Sequence, residues 1–242
     1  MIRVYEDPET ASAAAAGLFV ELAQEAVRDR GRFAVALAGG STPRRTYELL
    51  ASDPLRGEVA WNRVHLFFGD ERCVPLDDER SNYRTAREAL ISRVPVPAGQ
   101  VHPILCYGAP ESGARRYEII LRNYFGGQAP RLDLVLLGLG DDAHTASLFP
   151  GTEALSEKVK WTAAVCPPGQ DLCRVSLTPP LLNQARTVAF LVSGASKAAA
   201  VRDVLEGPRS PERLPAQLVR PEEGEVVWVL DRDAARLLTA TR

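Results

Sequence analysis

The chain has 242 residues, 45% of them hydrophobic and 25% charged, the balance of an ordinary globular protein. Its 29 basic and 31 acidic residues are interspersed and leave a formal net charge of −2. That argues against a nucleic-acid or membrane surface as the main partner, while leaving room for a local basic pocket.

The N-terminal MIRVYEDPET lacks a signal-peptide core, and no apolar run reaches the roughly 18 residues of a membrane span. The expected setting is the cytoplasm. There Cys73, Cys106, Cys166 and Cys173, which form no CxxC pair, are expected as reduced thiols.

In chain order, Asp7-Pro8 supplies a cap and first-turn proline for a helix that Gly31 would stop. FAVALAG (33–39) then reads as a strand, and AGGSTP (38–43) leads from it into a helix over 42–51. RVHLFFGD (63–70) is a second strand ending in GDERCVP (69–75), with helices expected over 82–91 and 113–125. LDLVLLGLG (132–140) is a third strand and opens into GDDAHTASLFPG (140–151). WTAAVCPP (161–168) and CRVSLTPPLL (173–182) read as extra strands forming a small hairpin. TVAFLVSG (187–194) passes through SGASK (193–197) into a helix over 195–207, and EVVWVLD (225–231) ends the series.

Most of these strand runs are continuously apolar rather than alternating, as strands covered on both faces are. Strand, loop and helix in repetition predict an α/β protein, an open and mostly parallel sheet with helices on both faces. VPVPAG (94–99) and GPRSPERLP (207–215) are short enough for surface loops, so one domain over 1–242 is expected.

In such a sheet, ligands bind beyond the C-terminal ends of the strands, and that is where the polar motifs gather. Gly39-Gly40-Ser41-Thr42-Pro43 lies between strand and helix. It suits either an anion on backbone N–H groups or a tight turn in which Ser41 or Thr42 caps the helix. Asp70-Glu71-Arg72 follows a strand end, where Arg72 would clamp a phosphate and Asp70 orient a neighbour. Asn82 reads as the cap of the next helix.

Gly138-Leu139-Gly140-Asp141-Asp142-Ala143 formally matches a dinucleotide fingerprint. Two aspartates fall where a pyrophosphate would sit, and Pro150 cuts short any helix, so a nicotinamide or flavin site is set aside. Asp142 and His144 remain as a local pair in which the histidine takes a proton and the carboxylate fixes its tautomer. His65 and His102 sit less favourably. No ligand pair at close spacing supports zinc, and no G-x-S-x-G elbow supports a serine nucleophile. Lys197 is either a solvated first-turn lysine or a second cation for a phosphate.

Together, GGSTP (39–43), GDERCVP with SNY (69–75, 81–83), GLGDDAHTASLFPG (138–151) and SGASK (193–197) resemble the 6-phosphogluconolactonase family, in its order and over most of the chain. Related glucosamine-6-phosphate deaminases follow a similar histidine with an Asn-Glu-Pro-Gly type ending. Here Ser147-Leu148-Phe149-Pro150-Gly151 stands instead, with no acid until Glu153. A deaminase-like sugar-phosphate enzyme stays an alternative, as does a non-catalytic phosphosugar sensor, although such sensors usually carry a helix-turn-helix for which residues 1–40 leave no room.

The resemblance implies a three-layer α/β/α, Rossmann-like fold shared with those deaminases and with ribose-5-phosphate isomerases. It also implies hydrolysis of 6-phosphoglucono-δ-lactone in the pentose phosphate pathway without metal or organic cofactor. The expected partner is the sugar phosphate lactone alone, and the expected state a monomer. His144 would activate water and Asp142 would orient it. Arg72, Lys197 and Gly39, Gly40, Ser41 and Thr42 would hold the phosphate. Gly140 would admit the substrate closely, and Asp70 would position Arg72 or a sugar hydroxyl. Where the family usually has glycine, this chain has Ala143. A positive φ there would cost about 1 kcal/mol.

Overall fold

The computed structural model describes residues 1–239. Strand β1 (Ile2–Tyr5) and helix α1 (Pro8–Arg30) precede β2 (Phe33–Leu37), α2 (Ser41–Leu50) and the short α3 (Leu55–Glu58). Next come β3 (Val64–Phe68), β4 (Asp70–Arg72), α4 (Asn82–Ala89) and α5 (Pro110–Phe125). The second half holds β5 (Leu134–Leu137), β6 (Thr162–Val165), β7 (Arg174–Leu177) and one-turn α6 (Pro179–Leu182). It ends with β8 (Thr187–Val192), α7 (Ala198–Leu205), β9 (Glu225–Asp231) and α8 (Arg232–Ala235).

The main sheet has the order β1-β9-β8-β5-β2-β3, and all of its pairings are parallel. Every residue of β2, β5 and β8 is buried, which requires cover on both faces and explains their unbroken apolar sequences. The flanking helices supply that cover, giving the predicted α/β architecture. From β2 the chain goes outward to β3 on one side and later returns to β5 on the other. Their C-terminal ends therefore diverge into a crevice, the usual ligand position in an open sheet.

The first helix starts and stops where its sequence predicts. Asp7 forms a reciprocal capping box with Thr10, Pro8 occupies the first turn, and Gly31 closes the helix at φ 73°.

The strands differ from the sequence reading in three places. The N-terminal IRVY is a strand pairing with β9, although its half-exposed alternation over four residues gave little signal. The 63–70 run is two strands rather than one. At Gly69 the chain leaves the main sheet, its N–H donating to Leu37 O and its carbonyl accepting from Leu177 N. It then joins the antiparallel sheet β4-β7-β6, so the expected hairpin of β6 and β7 gains a third strand.

The cysteines are not free thiols: Cys73 pairs with Cys106 and Cys166 with Cys173. The β6–β7 connection folds Cys166 back onto Cys173, and the end of β4 brings Cys73 against the segment before α5. Among the described residues no helix is long and apolar enough to cross a membrane.

Candidate active site

A cavity of about 330 Å³ opens at the C-terminal ends of β2, β5 and β8. Gly39, Gly40, Ser41, Thr42, Asp70, Arg72, Gly140, His144 and Lys197 all line it. Gly39 and Lys197, 158 positions apart in sequence, thus meet because the strand ends before them reach one edge.

On one wall, α2 begins at Gly40, whose φ of 106° suits glycine. No side chain caps the first turn: Ser41 and Thr42 lie inside it rather than capping it. A helix start left without a side-chain cap presents N–H groups and the positive end of the dipole to the cavity. Gly39 has a different reason. A Cβ there would lie 2.0 Å from Asn82 Oδ1, so the Asn82 side chain occupies the space beside it.

Asn82 is not the cap of α4. Ser81 is, accepting from Arg84 N, while Asn82 turns inward onto the Asp70 carbonyl and carboxylate and lines the cavity. The buried Glu71 explains that turn. It accepts from the N–H groups of Arg72, Asn82 and Tyr83 and from the Ser81 hydroxyl, anchoring the start of α4. Burial pushes its carboxyl up, against these hydrogen bonds.

Asp70 does not position Arg72. One oxygen accepts from Asn82 Nδ2 at 3.1 Å and the other from Ser147 Oγ at 2.5 Å. Its partners lie on α4 and on the loop after β5.

That loop carries His144 and Asp142. His144 Nδ1 lies 2.5 Å from Asp142 Oδ1, which also accepts the His144 backbone N–H at 3.1 Å. Burial raises the Asp142 carboxyl, but hydrogen bonds and charge from His144 outweigh it and hold the group below its usual value. An ionised Asp142 accepts the Nδ1 proton and leaves Nε2 with a free lone pair. Gly140 is required by this pair, since a Cβ there would lie 2.0 Å from His144 Nδ1 and 2.6 Å from Asp142 Oδ1.

The loop is pinned around the histidine. Gly140 N–H donates to His144 O, Thr145 Oγ1 to Gly138 O, and Ala216 N–H to Ala143 O. Ala143 has φ 61° and Ala146 φ 47°, so the backbone enters the left-handed region at both. Phe149 stacks on the imidazole with ring centroids 4.1 Å apart.

The opposite wall is cationic. Arg72 and Arg174 are register partners across β4 and β7, both line the cavity, and both have a buried Nε without a hydrogen-bond partner. Arg72 Nη1 donates to Arg80 O, and Arg174 Nη2 to Gln170 Oε1 at 2.6 Å. Burial, then the like charge of Arg72, pulls the Arg174 guanidinium below its usual value. It also lies 4.9 Å from the centre of the Phe149 ring. Arg174 was missed in the sequence; its only signal was a cation opening a short strand. Lys197, in a 3₁₀ turn before α7, pairs with Asp141 at 2.7 Å. Among the described residues, no group of three or more His, Cys, Asp or Glu is arranged to hold a metal ion.

Residues 6–228 match the family model described as glucosamine-6-phosphate isomerases/6-phosphogluconolactonase. The chain is 42% identical over 218 residues to a 6-phosphogluconolactonase of Synechocystis, covering 88% of each. It is 37% identical over 242 residues to one of Nostoc, covering 98% of each. The solved 6-phosphogluconolactonase of Trypanosoma brucei superposes with a TM-score of 0.86 at 32% identity, over 99% of this chain and 98% of that one. A monomeric glucosamine-6-phosphate deaminase, 23% identical with a TM-score of 0.83, shares the fold. By sequence along nearly its whole length and by architecture, the chain belongs to the glucosamine-6-phosphate isomerase/6-phosphogluconolactonase family.

Proposed function

We propose that this chain hydrolyses 6-phosphoglucono-δ-lactone to 6-phosphogluconate in the oxidative pentose phosphate pathway. The observation that carries the reading is the pairing of His144 with Asp142 in a cavity whose other walls are an uncapped helix start and two arginines. The 42% identical Synechocystis relative bearing that enzyme name supports the same substrate class.

The 6-phosphate sits against the first-turn N–H groups and hydroxyls of Ser41 and Thr42, beside Gly39 and Gly40. Arg72, Arg174 and Lys197 supply the charge. His144 Nε2 takes a proton from water as the oxygen adds to the lactone carbonyl carbon. As the bond from that carbon to the ring oxygen breaks, the imidazolium returns its proton to the ring oxygen, and the acid leaves with its chain opened. Asp142 keeps the ring in the required tautomer and steadies its cation.

The test generates the lactone in situ and follows acid release against spontaneous hydrolysis. Acceleration of lactone opening is expected, with no ammonia from glucosamine 6-phosphate. Ammonia release without lactone hydrolysis would assign the deaminase reaction instead.

A further inference from the structure

The β6–β7 connection sits directly behind the cationic wall. Cys166–Cys173 closes a loop whose Pro167–Gln170 turn is held by Gln170 N–H donating to Pro167 O. From that turn Gln170 Oε1 accepts from Arg174 Nη2, and Arg174 immediately follows Cys173. Besides this bond, the guanidinium contacts the Phe149 ring and is attracted by the Asp70 carboxylate, while its Nε has no hydrogen-bond partner among the described residues. Orientation of a cavity arginine therefore depends on a loop tied shut by one disulfide. Cys166 is exposed, so an attacking thiolate reaches it from solvent. The second disulfide lies alongside, Cys73 N–H donating to Cys173 O, but it closes a separate span of 33 residues.

We propose that Cys166–Cys173 is a thiol–disulfide exchange site for a dithiol reductant, and that its state sets how firmly Arg174 is held in the cavity. One thiolate of the dithiol attacks Cys166 Sγ, breaking the S–S bond and releasing Cys173 as thiolate. The second thiol of the reductant then displaces Cys166 and leaves as the second sulfur of an oxidised dithiol. Two electrons pass to the protein, and two protons restore its thiols. The freed loop no longer fixes Gln170, and Arg174 must be ordered when substrate binds, which weakens binding without touching His144.

This inference rests on reading Arg174 as a phosphate cation, and the experiment separates the two. Protein purified without reductant is assayed before and after dithiothreitol treatment and anaerobic desalting. Alkylation and mass spectrometry count the thiols in each sample. Reduction is expected to raise KM for the lactone roughly three- to tenfold while kcat changes far less, since lost preorganisation falls on binding. Cys73→Ser/Cys106→Ser should keep this response. Cys166→Ser/Cys173→Ser should show the raised KM in both states.

Free thiols at Cys166 and Cys173 in the air-purified protein, or an unchanged KM after verified reduction, would overturn the inference. So would a response surviving in Cys166→Ser/Cys173→Ser. Oxidised Arg174→Gln should itself raise KM; if it does not, the phosphate reading falls, and the inference with it.

Discussion

The Asp70 carboxylate accepts a 2.5 Å hydrogen bond from the Ser147 hydroxyl, tying the start of β4 to the loop that carries His144. Both residues are buried, and the second Asp70 oxygen is satisfied by Asn82. Ser147 is fixed again through its N–H, which donates to Ser176 Oγ on β7. The small sheet and the histidine loop are thereby locked to each other through buried polar groups. Ser147→Ala leaves a buried carboxylate short of a donor, which should cost about 1–3 kcal/mol of stability. Urea unfolding measures that loss. Steady-state kinetics on the folded variant should show a reduced kcat, because the loop bearing the base loses one of its ties.

His144 bears the proposed proton transfers, so its removal should act on the chemical step. His144→Ala is expected to lower kcat by roughly 10²–10⁴, the usual size of a general-base contribution. KM should change little, because the phosphate contacts lie on other residues. Asp142→Asn should also lower kcat, since an amide no longer holds the Nδ1 tautomer as a carboxylate does. A wild-type rate in His144→Ala, measured above the spontaneous reaction, would remove His144 from the mechanism.

Ala143 sits at φ 61° with both of its backbone polar groups engaged, the N–H to Gly140 O and the carbonyl to Ala216 N–H. Those two bonds and its burial hold an L-residue in a region it seldom adopts. Ala143→Gly should relieve a left-handed cost of about 1–2 kcal/mol while adding part of that back as unfolded-chain entropy. The expected result is a variant more stable by about 0.5–1 kcal/mol, read from the denaturation midpoint. Loss of stability would mean that Ala143 is unstrained.

How much of this was legible in the sequence depended on whether the signal was local. The cap at Asp7, the stop at Gly31 and the unbroken apolar run 134–137 declare themselves within a few residues, and the structure keeps them. The gathering of Gly39–Thr42, Arg72, Gly140, His144 and Lys197 at one edge followed from a general rule of parallel sheets. What failed was non-local. Asp70-Glu71-Arg72 read as charged groups just beyond a strand end. It is itself a strand, because Glu71 is buried against the start of α4 and Arg72 faces Arg174, about a hundred residues on. Arg174 carried no motif and became visible only through that pairing. Cys73 and Cys106 are likewise joined by folding across 33 residues, with no spacing rule to announce it.

The histidines outside the active site make a pH prediction of their own. His65 Nδ1 and His102 Nε2 lie 3.3 Å apart, with their rings near those of Phe67 and Tyr124. Burial, then the charge of His65, lowers His102 to about 4, and burial followed by the charge of Arg32 lowers His65. The folded protein thus keeps His102 neutral where an unfolded chain, with a histidine value near 6.5, binds a proton. Between those two values the unfolded state binds more protons, so stability must fall as pH drops from about 6.5 toward about 4. Above this window the contribution is fully present, and below it the loss is complete. His102→Gln removes the titrating group while keeping a hydrogen-bonding side chain beside His65. Melting temperatures taken from pH 7 to pH 4 should decline less steeply in the variant than in the wild type. Parallel declines would mean that His102 contributes nothing to acid sensitivity.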